Sequence, residues 1–317
     1  MRRAVPLLAA ALAACQPAAP PPQPQARAAV IAPTASPRPA PVRRGPSTES
    51  RSAADFYRRI EAQLLDRGLL RRDGGGADAR FTADMLARNF ERIALFSEYT
   101  QIGGRYVPQQ SRAQLRRWPG PVRLELHFGA SVDAATRQAD RARVAAYVSR
   151  LARLTGHDIS MVPSGGNYHV FVASIDEQRA LGPEISRLEP GLSRQTVREI
   201  TELDRTTYCA VYASSTSDRP HAYVSAISLI RSEHPDLMRL SCYHEEIAQG
   251  LGLANDSPAA RPSIFNDDEE FALLTDHDAL LLQMLYDPRL RVGMTAEQAR
   301  PVIQRIAREL VGDRGPV

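Results

Sequence analysis

Lysine is absent from this chain: all 40 basic residues are arginine, which reads as coding bias rather than as chemistry. Cysteine is scarce, with only Cys15, Cys209 and Cys242 in 317 residues. No acidic residue precedes Glu49, so Arg2, Arg3, Arg27, Arg38, Arg43 and Arg44 stand without counter-charges at the amino end. Subtracting those six from the formal charge of +4 leaves −2 for residues 45–317. A region so close to neutrality has no field for capturing nucleic acid, which excludes that class of partner. Neither a glycine-rich phosphate loop nor a nucleophile elbow occurs, and no internal repeat is evident. The apolar run from Ala4 to Ala14 is too short to span a bilayer as a stop-transfer helix.

That short run nevertheless has a clear form. Met-Arg-Arg makes a basic start, an apolar core follows, and small residues lead to a cysteine. Leu12-Ala13-Ala14-Cys15 resembles the lipobox of bacterial lipoproteins. The resemblance implies that residues 1–14 are removed and that Cys15 carries a diacylglyceryl thioether. Each buried methylene contributes about 0.8 kcal/mol, so two or more acyl chains, palmitate for example, anchor a protein stably in a lipid bilayer. Gln16 is not the Asp that commonly retains lipoproteins in the inner membrane, so the outer membrane is favoured, with the chain facing the periplasm. Residues 15–48 hold ten prolines and no aromatic residue, which makes them a tether rather than a core. Outside the cytoplasm, the two remaining cysteines suggest one disulfide, Cys209 to Cys242; two free thiols are the alternative.

Residues 49–317 have the apolar content of a globular domain. Helical spacing marks residues 51–72 and 81–99, which form either a helical N-terminal lobe near 51–105 or part of the same domain. Strand alternation marks 122–128, and strands are also expected at 159–162, 168–172, 208–213 and 222–229. A long helix is expected over 133–155 and another over 295–311. The mixed order predicts an α+β class with a mixed sheet.

Residues 242–257 read Cys-Tyr-His-Glu-Glu-Ile-Ala-Gln-Gly-Leu-Gly-Leu-Ala-Asn-Asp-Ser. This stretch resembles the zinc helix of the metzincin peptidases, the matrixins especially, whose pattern is His-Glu-x-x-His-x-x-Gly-x-x-His. In the frame fixed by Leu251-Gly252-Leu253, Glu245 stands at the first His, Glu246 at the catalytic Glu, Gln249 at the second His and Asn255 at the third. Leu274-Thr275-Asp276-His277-Asp278, followed after six residues by Leu285-Tyr286, resembles the last matrixin helix. Ser263-Ile264-Phe265-Asn266 lies where that family's Met-turn belongs. The whole domain also resembles an uncharacterised bacterial lipoprotein family of unknown activity.

The resemblance implies a zincin-like domain built around a degenerate active-site helix. Carboxamides are poor ligands for zinc, which prefers imidazole, thiolate or carboxylate. Without the ion no water is acidified for Glu246 to deprotonate. The expected function is therefore binding of a protein or peptide in the former cleft, or a structural role, with no metal cofactor. The alternative is a divergent metallohydrolase. In it Glu245, Gln249, Asn255, Asp256 or His244 hold a divalent ion and Glu246 acts as general base. Weaker candidates are His221, His234 and His277 as outlying ligands, residues 266–270 as a Ca²⁺ loop, and Trp118 as an exposed aromatic site.

Overall fold

Serine and threonine caps set most of the helix starts. Ser47 accepts the Ser50 N–H at 3.0 Å and opens α1 (Thr48–Asp66). Thr82 does the same for α2 (Ala83–Ala94). A two-stranded antiparallel ribbon follows, β1 (Phe96–Ile102) with β2 (Arg105–Arg112). Residues 81–99 are thus not one helix: α2 stops at Ala94 and the chain extends. The first helix likewise ends at Asp66, six residues before the expected end at 72.

Next come β3 (Val122–Phe128), the long helix α3 (Ala134–Thr155) and β4 (Ile159–Met161). After β5 (Tyr168–Ala173), three short helices were not legible in the sequence: α4 (Ile175–Gln178), α5 (Gly182–Leu188) and α6 (Arg194–Thr201). The chain continues through β6 (Cys209–Thr216), β7 (Arg219–Arg231) and α7 (Asp236–Gly250), and ends with α8 (Asp276–Tyr286) and α9 (Ala296–Val311).

The computed structural model describes residues 45–102, 105–266 and 268–312. The expected signal peptide, Cys15 and nearly all of the tether lie outside them. No described helix is long and apolar enough to cross a membrane. The described residues belong to one compact unit, Gly45–Val317.

The main sheet has five strands in the order β4-β3-β5-β7-β6. All neighbours are parallel except β6, which runs antiparallel to β7 at the edge. The class is α+β with a mixed sheet, as expected. One face packs Leu124, Leu126, Tyr168, Val170 and Ile230 against α3, α7 and α8. The other packs Phe171, Ile227 and Leu229 against α5 and α6. Helix α1 is no separate lobe. Its Tyr57 is fully buried in a cluster with Ile175, Met238 and Ala272.

Candidate functional site

Helix α7 turns Cys242, Glu245, Glu246 and Gln249 toward the edge strand, at the i, i+3, i+4, i+7 spacing of one helix face. Cys242 is bonded to Cys209 at the start of β6, with the two Cα atoms 5.9 Å apart. The bridge anticipated from the cysteine count is therefore present, and it fixes helix to strand at one end of a cleft of about 910 Å³. Along the cleft lie Ala210, Val211, Tyr212 and Ala213 of β6, Glu245, Glu246 and Gln249 of α7, and Arg198, Glu199 and Glu202 at the end of α6. Arg116, Asp204, Tyr223 and Asp256 complete its walls.

The far side of α7 is held by aromatic donors. The Tyr147 hydroxyl donates to the His244 carbonyl at 2.7 Å, and the Tyr168 hydroxyl to the Glu246 carbonyl at 2.6 Å. At the helix end, where carbonyls lack intrahelical partners, Trp118 Nε1 donates to Gly250 O at 2.8 Å and the Tyr286 hydroxyl to Leu251 O at 3.1 Å. Trp118 is 2% exposed, so it belongs to the core and offers no surface aromatic site. Burial keeps Tyr168 and Tyr286 well above the ordinary tyrosine range, so both remain neutral donors.

Gly252 ends the helix with φ +130°, and a Cβ there would come within 2.3 Å of the Arg116 carbonyl oxygen. Only glycine satisfies both conditions, which agrees with its place in the sequence pattern. Beyond it, Asp278 clasps the start of α8 to the preceding turn. Its carboxylate accepts from the Ser263 hydroxyl at 2.5 Å, from the N–H groups of Ile264 and Thr275 at 3.0 Å each, and from the Thr275 hydroxyl at 2.8 Å. The 263–265 turn is thereby tied to α8, and the Ser257 N–H donates to Phe265 O at 2.8 Å on its other side, with Ile264 and Phe265 buried.

Residues 83–305 match a family model described as a protein of unknown function, DUF2927. The chain belongs to the DUF2927 family. No curated protein and no solved structure matches it. The DUF2927 match begins at the first residue of α2 and runs into α9. It therefore covers the five-stranded sheet, α7 and the cleft, and leaves α1 outside.

Within this DUF2927 domain the residues singled out by sequence separate into two groups. Glu245, Glu246, Gln249 and Asp256 all line the cleft, and Gln249 Nε2 donates to Asp256 Oδ1 at 3.0 Å. Asn255 does not join them. It is fully buried, its Nδ2 donates to Arg92 O at 2.9 Å and Asp256 O at 2.7 Å, and its Oδ1 accepts from Gln110 at 3.1 Å. His244 points the other way, stacked on Tyr147 with ring centroids 3.9 Å apart, and its Nδ1 accepts the Leu274 N–H at 3.0 Å. Burial pushes its pKa down to about 3, with Arg150 adding to the shift.

Ligand atoms of Cys209, Glu245 and Glu246 lie within 4.8 Å of one another, but the sulfur is committed to the disulfide. The donors that remain are two carboxylates, with an amide already bonded to a third. This set does not fit a zincin's zinc, and no metal-dependent step is derived from it.

The weaker candidates are placed elsewhere. His234 is buried against Tyr57, its pKa pushed down to about 3 by burial and by Arg231 and Arg239. His277 is fully buried beside Asn89, Nε2 to Nδ2 3.1 Å. His221 does not line the cleft. In the acidic loop, Glu270 accepts from Arg71 at 2.9 Å and Arg261 at 2.6 Å, so its carboxylate serves an arginine network rather than a Ca²⁺ loop. Sequence reasoning missed Arg116, Arg198, Glu199 and Glu202 as wall residues. Their only sequence signal was charge, and α6, which presents three of them or their neighbours, had not been read as a helix.

Proposed function

We propose that this chain is a lipid-tethered envelope protein whose zincin-like domain binds an extended peptide segment in the cleft, without peptidase chemistry. The observation that carries the reading is the open cleft beside a sheet edge. Among the described residues, β6 has a strand partner on one side only, β7. An extended peptide can add to a strand in that position as a further strand. The zincin-like reading is supported by the two sequence blocks and by the Asp278 clasp, which holds the turn between them against α8. The absence of peptidase chemistry rests on residue type at Glu245, Gln249 and Asn255.

Charge narrows the ligand. The cleft walls carry six carboxylates, Glu199, Glu202, Asp204, Glu245, Glu246 and Asp256, against two guanidiniums, Arg116 and Arg198. A peptide with basic side chains on alternate positions complements that surface. The test is fluorescence anisotropy of labelled extended peptides with the detergent-solubilised full chain. An Arg-containing peptide is expected to bind more tightly than an acidic one and to weaken as salt rises. Val211 and Ala213 pack on the α7 side of β6, so Ala213→Trp fills the groove and is expected to weaken binding by about tenfold or more, about 1.4 kcal/mol. Equal affinity for acidic and basic peptides, or indifference to Ala213→Trp, contradicts the proposal.

Attachment to the membrane is proposed from the sequence of residues 1–15. Metabolic labelling with a palmitate analogue is expected to mark the wild-type chain and to leave Cys15→Ser unlabelled. Label retained by Cys15→Ser would refute lipidation at that position.

A further inference from the structure

A second cluster of chemistry-bearing side chains lies on the sheet face turned away from α7. Strand alternation sends Leu124, Leu126, Tyr168 and Val170 to the α7 side and leaves Glu125, His127 and His169 for the other. Parallel pairing sets Glu125 beside His169 and His127 beside Phe171. His127 Nε2 lies 3.1 Å from His169 Nδ1. Glu125 Oε1 is 3.6 Å from His127 Nε2, and Glu125 Oε2 is 3.9 Å from His169 Nδ1.

These separations are the edges of a coordination polyhedron. Ligands about 2.0–2.2 Å from a tetrahedral zinc ion stand about 3.3–3.6 Å from each other. The nitrogen–nitrogen edge is close to that spacing, the two Glu125 oxygens each approach one of the imidazoles, and one ligand atom from each of the three residues lies within 4.8 Å of the other two. A carboxylate stands near each nitrogen that faces outward from the cluster. His127 Nδ1 is 3.8 Å from Glu184 Oε1, and His169 Nε2 is 4.0 Å from Glu189 Oε1. Both separations exceed hydrogen-bond length; a carboxylate placed behind each imidazole orients a metal-ligating ring once it closes to hydrogen-bond distance.

The carboxylate of Glu125 is itself fixed, because Oε2 accepts the Gly166 N–H at 3.0 Å. A Cβ at Gly166 would lie 2.7 Å from the Glu125 Cβ, so glycine permits that approach. The His169 side chain is 3% exposed, whereas those of His127 and Glu125 keep 17% and 14%, which leaves a route for an ion.

We propose that Glu125, His127 and His169 bind a first-row divalent transition metal of the zinc class, with Glu184 and Glu189 orienting the two imidazoles. The ion links β3 to β5 from beneath the sheet. The proposal is independent of the peptide-binding reading, because no residue is shared with the cleft.

The test uses the detergent-solubilised full chain, stripped with chelator, titrated with Zn²⁺ and separately with Co²⁺. One equivalent of zinc per chain is expected after desalting, and cobalt is expected to give the visible ligand-field absorption of a tetrahedral nitrogen and oxygen site. His127→Ala is expected to lose both signals while keeping the wild-type circular dichroism spectrum. Glu184 is half-exposed, so Glu184→Gln preserves the fold, and it is expected to weaken binding about 10–100-fold. Glu246→Gln is expected to retain the full equivalent. Failure to bind zinc, binding unaffected by both His127→Ala and Glu184→Gln, or binding abolished by Glu246→Gln overturns the proposal.

Discussion

Replacing Cys209 and Cys242 together by serine is expected to lower stability by about 3–4 kcal/mol, the chain-entropy value for the loop they close. The bridge spans 33 positions in sequence. It joins the first residue of an edge strand to the middle of the helix that floors the cleft. Among the described residues β6 pairs with no strand but β7, and the bridge ties its first residue to α7 on the face of the sheet. Denaturant unfolding checks the effect, read as a lower midpoint at unchanged slope. Reduction of the wild type is expected to reproduce the loss and to weaken peptide binding with it. A loss below about 1 kcal/mol would mean that the bond contributes little to the folded chain.

Asp278→Ala is expected to cost about 3–5 kcal/mol, from several buried donors losing one acceptor at about 1–3 kcal/mol each. The side chain is fully buried and accepts four hydrogen bonds. Its loss leaves the N–H groups of Ile264 and Thr275 and the Ser263 hydroxyl without their acceptor, while the Thr275 hydroxyl keeps the Pro262 carbonyl oxygen at 3.0 Å, and each orphaned donor carries its own desolvation penalty. It also removes the N-cap reciprocity of α8, whose capping box pairs Thr275 with Asp278. Asp278→Asn keeps two acceptor lone pairs and is expected to recover part of the loss. Equal stabilities for Asp278→Ala and Asp278→Asn would remove hydrogen bonding as the explanation.

Legibility of this fold in the sequence followed the range of the interactions involved. Local devices were readable. Leu251-Gly252-Leu253 marked the end of α7 because Gly252 has a backbone angle that other residues avoid. The alternation of 122–128 gave β3, and the apolar spacing of 133–155 gave α3. The boundary between α2 and β1 was not readable. No glycine or proline occurs between Thr82 and Ile102, so nothing local stops the helix, and pairing with β2 decides the matter instead. Helices α4, α5 and α6 span only four, seven and eight residues, too few for a periodic signal.

The cleft was half legible. Glu245, Glu246 and Gln249 share a helix face by spacing alone, and Asp256 followed a few residues later. Asn255 was misplaced because a pattern match gives register, not the direction in which a loop side chain points. The Glu125, His127 and His169 cluster was invisible for a different reason. Its members sit on β3 and β5, whose parallel pairing crosses 44 positions of sequence from Glu125 to His169. Nothing in either strand announces the other.

Four ring-bearing side chains grip the backbone of α7 and the turn after it: Tyr147, Tyr168, Trp118 and Tyr286 donate to the carbonyls of residues 244, 246, 250 and 251. A floor fastened in this way does not need to be ordered when a guest arrives, so little conformational entropy is lost there on association. On the proposed peptide-binding reading, adaptation to ligands of different shape would fall to the opposite bank, where the pairing of β6 with β7 shifts register between Ser214 and Thr216.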